Sequence, residues 1–433
     1  MIPLRIGFAG NQNNAPFTVA RALRAAGHDV RVLVDRPESL NRPEYRYTDI
    51  RYPYPDWVEE IPTVELDDVV FRSPAWGTLL RRLADRDVVF LNGMAFAAAA
   101  DLPMPAICQT TGADLEFYCD PGRAGRYALF QDHAGRARGW ARSLTATRRP
   151  TGEALRRTAA ELPSPLFHYY RAQVFRKAVA RQIAGLRAAR GVICLPAGAV
   201  PVADQLLEAA LTPRTPRVLS FMVESDRFRV MPPALEGPLR VFNPARLNWS
   251  RPCPPWTNPW ENKRTDCLVE GVALFVRRTG APIALHLVEK GHSVGATRAL
   301  VTALGLDGCV HWHREMPQAE LAGHYQQAHV IADQFGDHLV GLAGYEAMAM
   351  GRPLLCNWRP EVFTPAFGEA APVAQARTPL EVADQLELLS EPAHRRRLSD
   401  RGREFVTRQL SPEVFLNRLQ PVLAGLPRRA VAA

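Results

Sequence analysis

The sequence predicts an α/β protein built from two doubly wound, Rossmann-like domains. Its 433 residues exceed what one hydrophobic core usually holds and suit two domains of about 200 residues each. Short apolar runs alternate with helix-like stretches through both halves, as is typical of parallel strands buried on both faces. Pro213 and Pro216 interrupt this alternation, which begins again at Leu239, so we place the domain boundary near residue 215.

The first half alternates strand and helix signals from its start. A strand at 4–10 leads into a helix at 17–26, which Gly27 closes as a C-terminal glycine cap. A further helix is predicted at 202–210. Later strands are predicted at 29–34, 87–92, 105–110 and 191–196.

An arginine-rich segment at 134–190 lies within this half. It contains 13 Lys and Arg against two Glu, a net charge of +11, whereas the whole chain carries +9. The segment is too long for a plain strand connection and predicts helices near 154–162 and 169–189. It indicates an anionic partner, either an anionic membrane surface or a soluble molecule with acidic groups. A solvated helical face is the alternative.

The second half repeats the pattern. A proline-rich loop is predicted at 252–259, because proline lacks the N–H donor and restricts the residue before it. An amphipathic helix is predicted at 413–423. The predicted strands are 239–243, 283–289, 309–312, 329–333 and 353–357.

Composition favours a cytoplasmic protein. The chain has no run of about 18 apolar residues that could cross a membrane, and its first residues lack the features of a secretory signal. Its seven cysteines show no metal or redox spacing, and we interpret them as reduced packing residues. The basic segment adds the expectation of peripheral contact at the inner face of the membrane.

The strongest local pattern lies at 333–353. The chain leaves a strand at Asp333, passes a glycine-bearing loop and enters a helix near Leu342, with Glu346 in its first turns. Backbone N–H groups at such a helix start suit a diphosphate, and Glu346 suits the hydroxyls of a ribose. A helix with a solvated Glu and a C-terminal glycine cap is the alternative that spacing alone allows.

This stretch resembles the donor-site signature of family 4 glycosyltransferases, in which two glutamates separated by seven residues precede a glycine and a proline. Here the second half reads Glu346-Ala-Met-Ala-Met-Gly-Arg-Pro353. The resemblance implies that Glu346 binds the nucleotide ribose and that Gly341 and Leu342 lie over the diphosphate and sugar. His338 stands in place of the first glutamate and is a candidate catalytic residue.

The resemblance continues through most of the second half. Arg246, in Phe242-Asn-Pro-Ala-Arg246, resembles the arginine that meets the diphosphate, and Lys263 resembles the lysine that follows it. An Arg gives forked donors and a Lys a point charge, so both can offset a pyrophosphate. An ordinary surface cation is the alternative for each. Gly291, in Leu287-Val-Glu-Lys-Gly291, fits the glycine turn near the base or diphosphate.

Two loops of the first half resemble those that face the transferred sugar in this family. Gly10-Asn-Gln-Asn-Asn-Ala-Pro16 lacks the spaced glycines of a dinucleotide fingerprint, but Asn13 and Asn14 suit sugar hydroxyls. A turn held by asparagine side chains is the alternative. In Gln109-Thr-Thr-Gly-Ala-Asp114, Thr111 is an acceptor-side or sugar-side candidate and Asp114 a catalytic one, with helix capping as the alternative.

The resemblance therefore implies a GT-B fold, two Rossmann-like domains facing across a cleft, and transfer that retains anomeric configuration. Residues 1–215 would bind the acceptor, 216–410 the nucleoside-diphosphate sugar, and 411–433 form a helix and tail. The acceptor would be a soluble natural product, a saccharide or a lipid-linked glycan.

Neither a cofactor nor a metal is expected beside the sugar donor, because His28, His286, His311 and His313 show no carboxylate pattern. Nucleic acid is not an expected partner, since the basic segment carries no recognised nucleic-acid motif. The alternatives are a catalytically silent homologue that only binds, and an epimerase or phosphorylase on the same fold.

Overall fold

The computed structural model describes residues 3–35, 41–111, 114–122, 164–228, 230, 237–250, 262–337 and 339–427. Three expectations lie outside these residues: the helix near 154–162, the proline-rich loop at 252–259 and the candidate catalytic residue His338. The chain divides into two compact units. Unit 1 comprises the chain up to Leu195, Pro201–Ser220 and the chain from Arg418 on, and unit 2 comprises Pro196–Val200 and Phe221–Asn417.

Unit 1 is organised around a seven-stranded sheet with the order β3-β2-β1-β4-β5-β6-β7. All its neighbouring strands are parallel. In chain order the strands are β1 (Arg5–Ala9), β2 (Asp29–Val34), β3 (Val58–Glu60), β4 (Val88–Asn92), β5 (Ala106–Gln109), β6 (Gly191–Cys194) and β7 (Arg217–Leu219).

The strand order of unit 1 reverses at β1, whose Ile6 lies opposite Val30 of β2 and Val88 of β4. Chain connections leave β1 and β4 in opposite directions, so a crevice opens at their carboxyl ends. The central strands are mostly apolar because helices cover both faces of the sheet, and their polar residues Asn92 and Gln109 stand at the carboxyl ends. β4, β5 and β6 are buried at every position.

Three predicted helices of unit 1 correspond to observed ones: 17–26 to Ala15–Ala25, 169–189 to Ser164–Ala188 and 202–210 to Pro201–Ala210. Ser73 caps the helix Pro74–Leu83, since its hydroxyl accepts the Trp76 N–H at 3.3 Å. Short 3-10 segments lie at Gln12–Asn14 and Gly93–Ala100. The helices are α1 (Ala15–Ala25), α2 (Pro43–Arg46), α3 (Leu66–Phe71), α4 (Pro74–Leu83), α5 (Asp114–Cys119), α6 (Ser164–Ala188) and α7 (Pro201–Ala210).

Of the basic segment at 134–190, the structure describes residues 164–190. They comprise helix α6 and the two residues after it, Ala189 and Arg190. Arg176, Lys177, Arg187 and Arg190 are exposed. None of these four forms an ion pair with any residue in the described parts of the chain. This basic face therefore has no internal electrostatic role within that part of the molecule, and its anionic partner stays a prediction.

Unit 2 contains a six-stranded parallel sheet with the order β10-β9-β8-β11-β12-β13. Its strand order reverses at β8, whose carboxyl end lies beside that of β11. The strands are β8 (Leu239–Asn243), β9 (Ile283–Val288), β10 (Val310–His313), β11 (Val330–Ala332), β12 (Leu354–Cys356) and β13 (Ala374–Gln375).

Helices of unit 2 pack on the sheet through a buried cluster that contains Val241, Leu285, Val272 and Leu386. None of the helices in the described ranges has the length and apolar character that crossing a bilayer requires. The remaining helices of the chain are α8 (Thr265–Thr279), α9 (Val294–Ala303), α10 (Gln318–Gln327), α11 (Leu342–Ala349), α12 (Pro360–Phe367), α13 (Pro379–Ser390), α14 (Pro392–Leu410) and α15 (Pro412–Ala424).

Candidate functional site

The carboxyl ends of β8 and β11 form the switch point of unit 2, where open α/β sheets bind ligands. Asn243, the last residue of β8, is fully buried and joins the two strands. Its Nδ2 donates to Asp333 O at 2.8 Å, and its Oδ1 accepts the Ala245 N–H at 3.0 Å. This side chain therefore fixes how the loop after β8 leaves the sheet.

Arg246 lies on that loop with its side chain exposed. The backbone beneath it is held, because Asn248 N donates to Arg246 O at 3.0 Å and Leu247 N donates to Lys290 O at 2.7 Å. Within the described ranges, no carboxylate forms an ion pair with Arg246. A fixed backbone with an unpaired guanidinium at a switch point suits an anionic ligand.

Gly291 brings the loop after β9 against the Arg246 loop. Its φ is +111°, and a Cβ at this position would lie 2.5 Å from Asn248 Oδ1 and 2.7 Å from Leu247 O. The Asn248 side chain also accepts the His292 N–H at 3.1 Å. Only glycine allows this approach, so the candidate donor residue Gly291 contributes through its backbone.

Lys263 reaches the same edge from the segment before α8. Its Nζ donates to Gln334 Oε1 at 2.7 Å, and its backbone N–H donates to Asn248 O at 2.8 Å. The Lys263 carbonyl in turn accepts the Phe335 N–H at 3.0 Å. These contacts place the ammonium between the loops that follow β8 and β11.

Helix α11 begins at this edge, after the N-cap Gly341. Asp333 Oδ2 accepts the Gly341 N–H at 2.7 Å, so the residue after β11 sets the start of the helix. Burial raises the pKa of the Asp333 carboxyl, while Lys263 and the bond from Gly341 oppose that rise. The first N–H groups of α11, including that of Leu342, have no partner within the helix, and the helix dipole there favours a negative charge.

Glu346 lies one turn further along α11 and is 1% exposed. Gln318 Nε2, from the first residue of α10, donates to Glu346 Oε2 at 2.6 Å. The contact orients the carboxylate and brings the loop after β10 to the same site. A buried, oriented carboxylate can accept hydrogen bonds from vicinal hydroxyls such as those of a ribose.

The switch point of unit 1 carries the asparagine-rich loop after β1. Gln12 N donates to Asn92 Oδ1 at 2.9 Å, which ties the loop to the end of β4. Asn13 and Asn14 both have left-handed backbones, with φ of 55° and 58°. Asn14 is buried and its Nδ2 donates to Arg42 O at 3.0 Å, whereas Asn13 is exposed. Asn13 is thus the member of the pair whose side chain a ligand can reach.

Asp114 starts α5 and is fully buried. Its carboxylate accepts the Thr111 N–H at 3.0 Å, the Leu115 N–H at 3.1 Å and Asn92 Nδ2 at 3.1 Å. The Thr111 hydroxyl donates to it at 3.3 Å. Burial raises the pKa of Asp114 to about 6, although these donors oppose the rise. The contacts give Asp114 a structural part in this loop, and its catalytic part stays a prediction.

Four histidines cluster on one face of the unit 2 sheet. His286 Nδ1 lies 2.9 Å from His313 Nε2. The ring centroids of His286 and His311 are 4.7 Å apart in a stacked arrangement, and those of His313 and His324 are 4.6 Å apart. Across the described ranges, no group of three or more His, Cys, Asp or Glu is placed to hold a metal ion. Burial, with the neighbouring His311 and His313 adding to it, lowers the pKa of His286 to about 4.

Acid is therefore expected to destabilise unit 2 through His286. The folded pKa of about 4 lies below the value of 6.5 for an unperturbed histidine, so the unfolded chain binds the proton more readily. The contribution of neutral His286 to the free energy of unfolding is fully present above pH 6.5 and is lost as the pH falls toward 4. Urea unfolding of the parent, His286→Asn and the control His394→Asn at pH 7.5 and 5.5 measures this loss. If the parent and the His286→Asn variant lost the same free energy of unfolding between pH 7.5 and 5.5, His286 would not be the source of the acid sensitivity.

No protein-family model matches the chain, and no curated protein matches it. Solved structures do. Anabaena HepE, crystallised in complex with UDP, is similar with a TM-score of 0.61 and 13% identity over 98% of this chain and 100% of that one. Sucrose-phosphate synthase from Thermosynechococcus elongatus has a TM-score of 0.56 and 14% identity over 97% and 98%. WaaB, a lipopolysaccharide outer core galactosyltransferase, has a TM-score of 0.52 and 11% identity over 97% of this chain and 99% of that one.

These neighbours are GT-B glycosyltransferases, and each matches nearly the whole chain. The chain has the GT-B fold. The predicted pair of doubly wound domains is thereby confirmed. At 11% to 14% identity the likeness establishes the fold, while family 4 membership and the retaining mechanism stay predictions.

Within the GT-B fold, contacts gather the predicted donor residues at one edge of unit 2. The described ones are Arg246, Lys263, Gly291, Gly341, Leu342 and Glu346. The candidates of the first half, Asn13, Asn14, Thr111 and Asp114, lie at the carboxyl edge of the unit 1 sheet.

Sequence reasoning missed the parts played by Asp333, Gln334 and Gln318. Asp333 and Gln334 carry a signal, since two polar residues directly follow the apolar strand β11. Gln318 carries none, because nothing local connects it with Glu346.

Proposed function

We propose that the chain is a retaining glycosyltransferase that takes its sugar from a nucleoside diphosphate bound on unit 2. The observation that carries the proposal is the switch point of β8 and β11. A buried carboxylate, Glu346, and a helix start share this edge with two cations, Arg246 and Lys263. That set suits the ribose and the diphosphate of a nucleoside diphosphate.

Each group has a distinct part in the proposal. Glu346 accepts hydrogen bonds from the ribose, and Gly341 and Leu342 lie over the diphosphate and sugar. Leu342 supplies the backbone N–H there, because Asp333 already accepts the N–H of Gly341. Gly291 holds the loop of Arg246 in place. The UDP bound by HepE makes uracil the first base to test on this chain.

The chemistry that these residues support is departure of the diphosphate. When the bond from the anomeric carbon to the diphosphate oxygen breaks, negative charge grows on the leaving oxygen. Arg246, Lys263 and the positive end of α11 stabilise that charge, and in many enzymes such electrostatic stabilisation supplies most of the rate acceleration. The proposal assigns the charge to these groups and needs no bound cation.

We place the acceptor on unit 1, near Asn13, Thr111 and Asp114. The acceptor would be a soluble natural product, a saccharide or a lipid-linked glycan. The basic face of α6 supports an anionic acceptor or an anionic membrane surface. Flotation with anionic and neutral vesicles at low and high salt distinguishes these two.

Ligand-induced thermal shift tests the proposal as a whole. UDP, GDP, dTDP and ADP, free and as sugar conjugates, are compared with the corresponding monophosphates. A ligand that binds only the folded state raises the unfolding temperature, and we expect one diphosphate series to do so. Binding followed by transfer, with the anomeric configuration of the product read by NMR, supports a retaining enzyme. Binding without turnover supports a silent homologue, and no binding at all contradicts the donor site.

Arg246→Lys is expected to weaken UDP binding about tenfold and to leave UMP binding within about twofold. The fork of the guanidinium matches two phosphate oxygens, whereas an ammonium meets them as a point charge. Isothermal calorimetry with both nucleotides measures the difference. Arg277→Lys, at an exposed site near the end of α8, is the control. Equal losses for UDP and UMP would show that Arg246 does not contact the second phosphate.

A further inference from the structure

Lys263 is held at the donor edge of unit 2 by a buried amide. Its Nζ donates to Gln334 Oε1 at 2.7 Å, and Gln334 is 1% exposed. The Lys263 backbone is bonded on both sides, to Asn248 O at 2.8 Å and from Phe335 N at 3.0 Å. With the main chain fixed, the bond to Gln334 helps to set the direction of the ammonium, beside the electrostatic attraction of the nearby Asp333 carboxylate.

An amide suits this task better than a carboxylate would. An ammonium has three N–H donors, so a bond to one amide oxygen leaves it able to donate to phosphate oxygens as well. Because the amide is neutral, it orients Lys263 without cancelling its charge. The nearby carboxylate of Asp333 accepts the Gly341 N–H at 2.7 Å and sets the start of α11 instead.

The choice of lysine here is unusual for this chain. Of its 53 Lys and Arg residues only three are lysines, at 177, 263 and 290. Lys263 and Lys290 both lie at the carboxyl edge of the unit 2 sheet. A guanidinium presents a broad planar fork, whereas an ammonium fits a single amide oxygen and still turns toward a second acceptor. The local acceptor thus explains why lysine occupies position 263.

We propose that Gln334 is a positioning residue that aims the Lys263 ammonium at the diphosphate of the donor. The proposal rests on the proposed function, since it specifies how one cation of that site is oriented. Gln334 acts through Lys263 and has no contact of its own with the nucleotide. It therefore affects binding of the second phosphate and transfer, and leaves the contacts of the nucleoside unchanged.

The test is a double-mutant cycle on the full chain, with UDP and UMP as calorimetric probes. Gln334→Met keeps the shape of the side chain and removes the acceptor. We expect it to weaken UDP binding about tenfold and UMP binding less than about twofold. Lys263→Met is expected to have a larger effect of the same pattern. In the Lys263→Met background, Gln334→Met should have no further effect on UDP binding.

A control and a second variant keep the result interpretable. Gln409→Met removes another amide of unit 2, whose Nε2 donates to Glu369 Oε1 at 2.7 Å. It should leave UDP binding unchanged. Gln334→Glu preserves shape and acceptor but supplies a charge that offsets the ammonium, so it should also weaken UDP binding more than UMP binding. This variant serves if Gln334→Met does not fold.

The outcomes distinguish failure of the role proposed for Gln334 from failure of the donor site itself. Additive losses in the cycle, or equal losses for UDP and UMP, would overturn the role of Gln334 while leaving the donor site in place. Failure of the parent protein to bind any of UDP, GDP, dTDP, ADP and inorganic pyrophosphate would overturn the donor site and this inference together. A loss confined to the diphosphate and absent in the Lys263→Met background supports the inference.

Discussion

Glu346→Ala is expected to weaken UDP binding by about 2–4 kcal/mol, or roughly 30-fold to 1,000-fold. Glu346 is 1% exposed and already receives a hydrogen bond of 2.6 Å from Gln318. Removing the carboxylate takes away the acceptor for the ribose hydroxyls. It also leaves the half-buried Gln318 amide without this partner, which adds a desolvation cost.

Calorimetry with UDP, UMP and uridine measures the effect of Glu346→Ala. Because the carboxylate is assigned to the ribose, all three ligands should lose affinity by a similar factor. This pattern differs from that of Arg246→Lys, which should spare UMP. Glu387→Ala, at an exposed glutamate paired with Arg278, is the control. A folded Glu346→Ala protein with parental affinity for uridine nucleotides would remove Glu346 from the ribose site.

Much of the fold was predictable because its strands are buried on both faces. β2 and β8 have the bounds that the apolar runs predict, 29–34 and 239–243. The strands that the sequence did not reveal, β3, β7 and β13, are two or three residues long. Such short strands depend on pairing with a longer neighbour, so local composition cannot identify them.

The candidate site, like the fold, has a part that local sequence reveals and a part that it does not. Gly341, Leu342 and Glu346 lie within one short stretch, where a glycine before a helix is a local signal. The contacts that complete the site join residues far apart in the chain: Gln318 is 28 residues from Glu346, and Lys263 is 71 residues from Gln334. Contacts at such separations arise only when parallel strands bring their carboxyl ends together, and one sequence does not display them.

Gly291→Ala is expected to destabilise unit 2 by about 3–4 kcal/mol and to lower transfer by a factor on the order of 100. Two separate costs add here. A φ of +111° is a conformation that an alanine adopts only under strain. The new Cβ would also lie 2.5 Å from Asn248 Oδ1 and 2.7 Å from Leu247 O, so the Arg246 loop must shift.

A matched glycine separates these two costs. Gly305, also in unit 2, has a φ of +70° with no atom within 4 Å of the added Cβ, so Gly305→Ala carries the backbone cost alone, about 1–2 kcal/mol. Urea unfolding gives the stability of both variants, and calorimetry with UDP reports the donor site. We expect Gly305→Ala to bind UDP as the parent does and Gly291→Ala to bind it weakly. Equal unfolding midpoints and equal UDP affinities for the two variants would show that the loops after β8 and β9 are not in contact as described. A stability loss without a loss of UDP affinity would instead separate the Gly291 contact from the donor site, because the displaced Arg246 loop would then not be part of it.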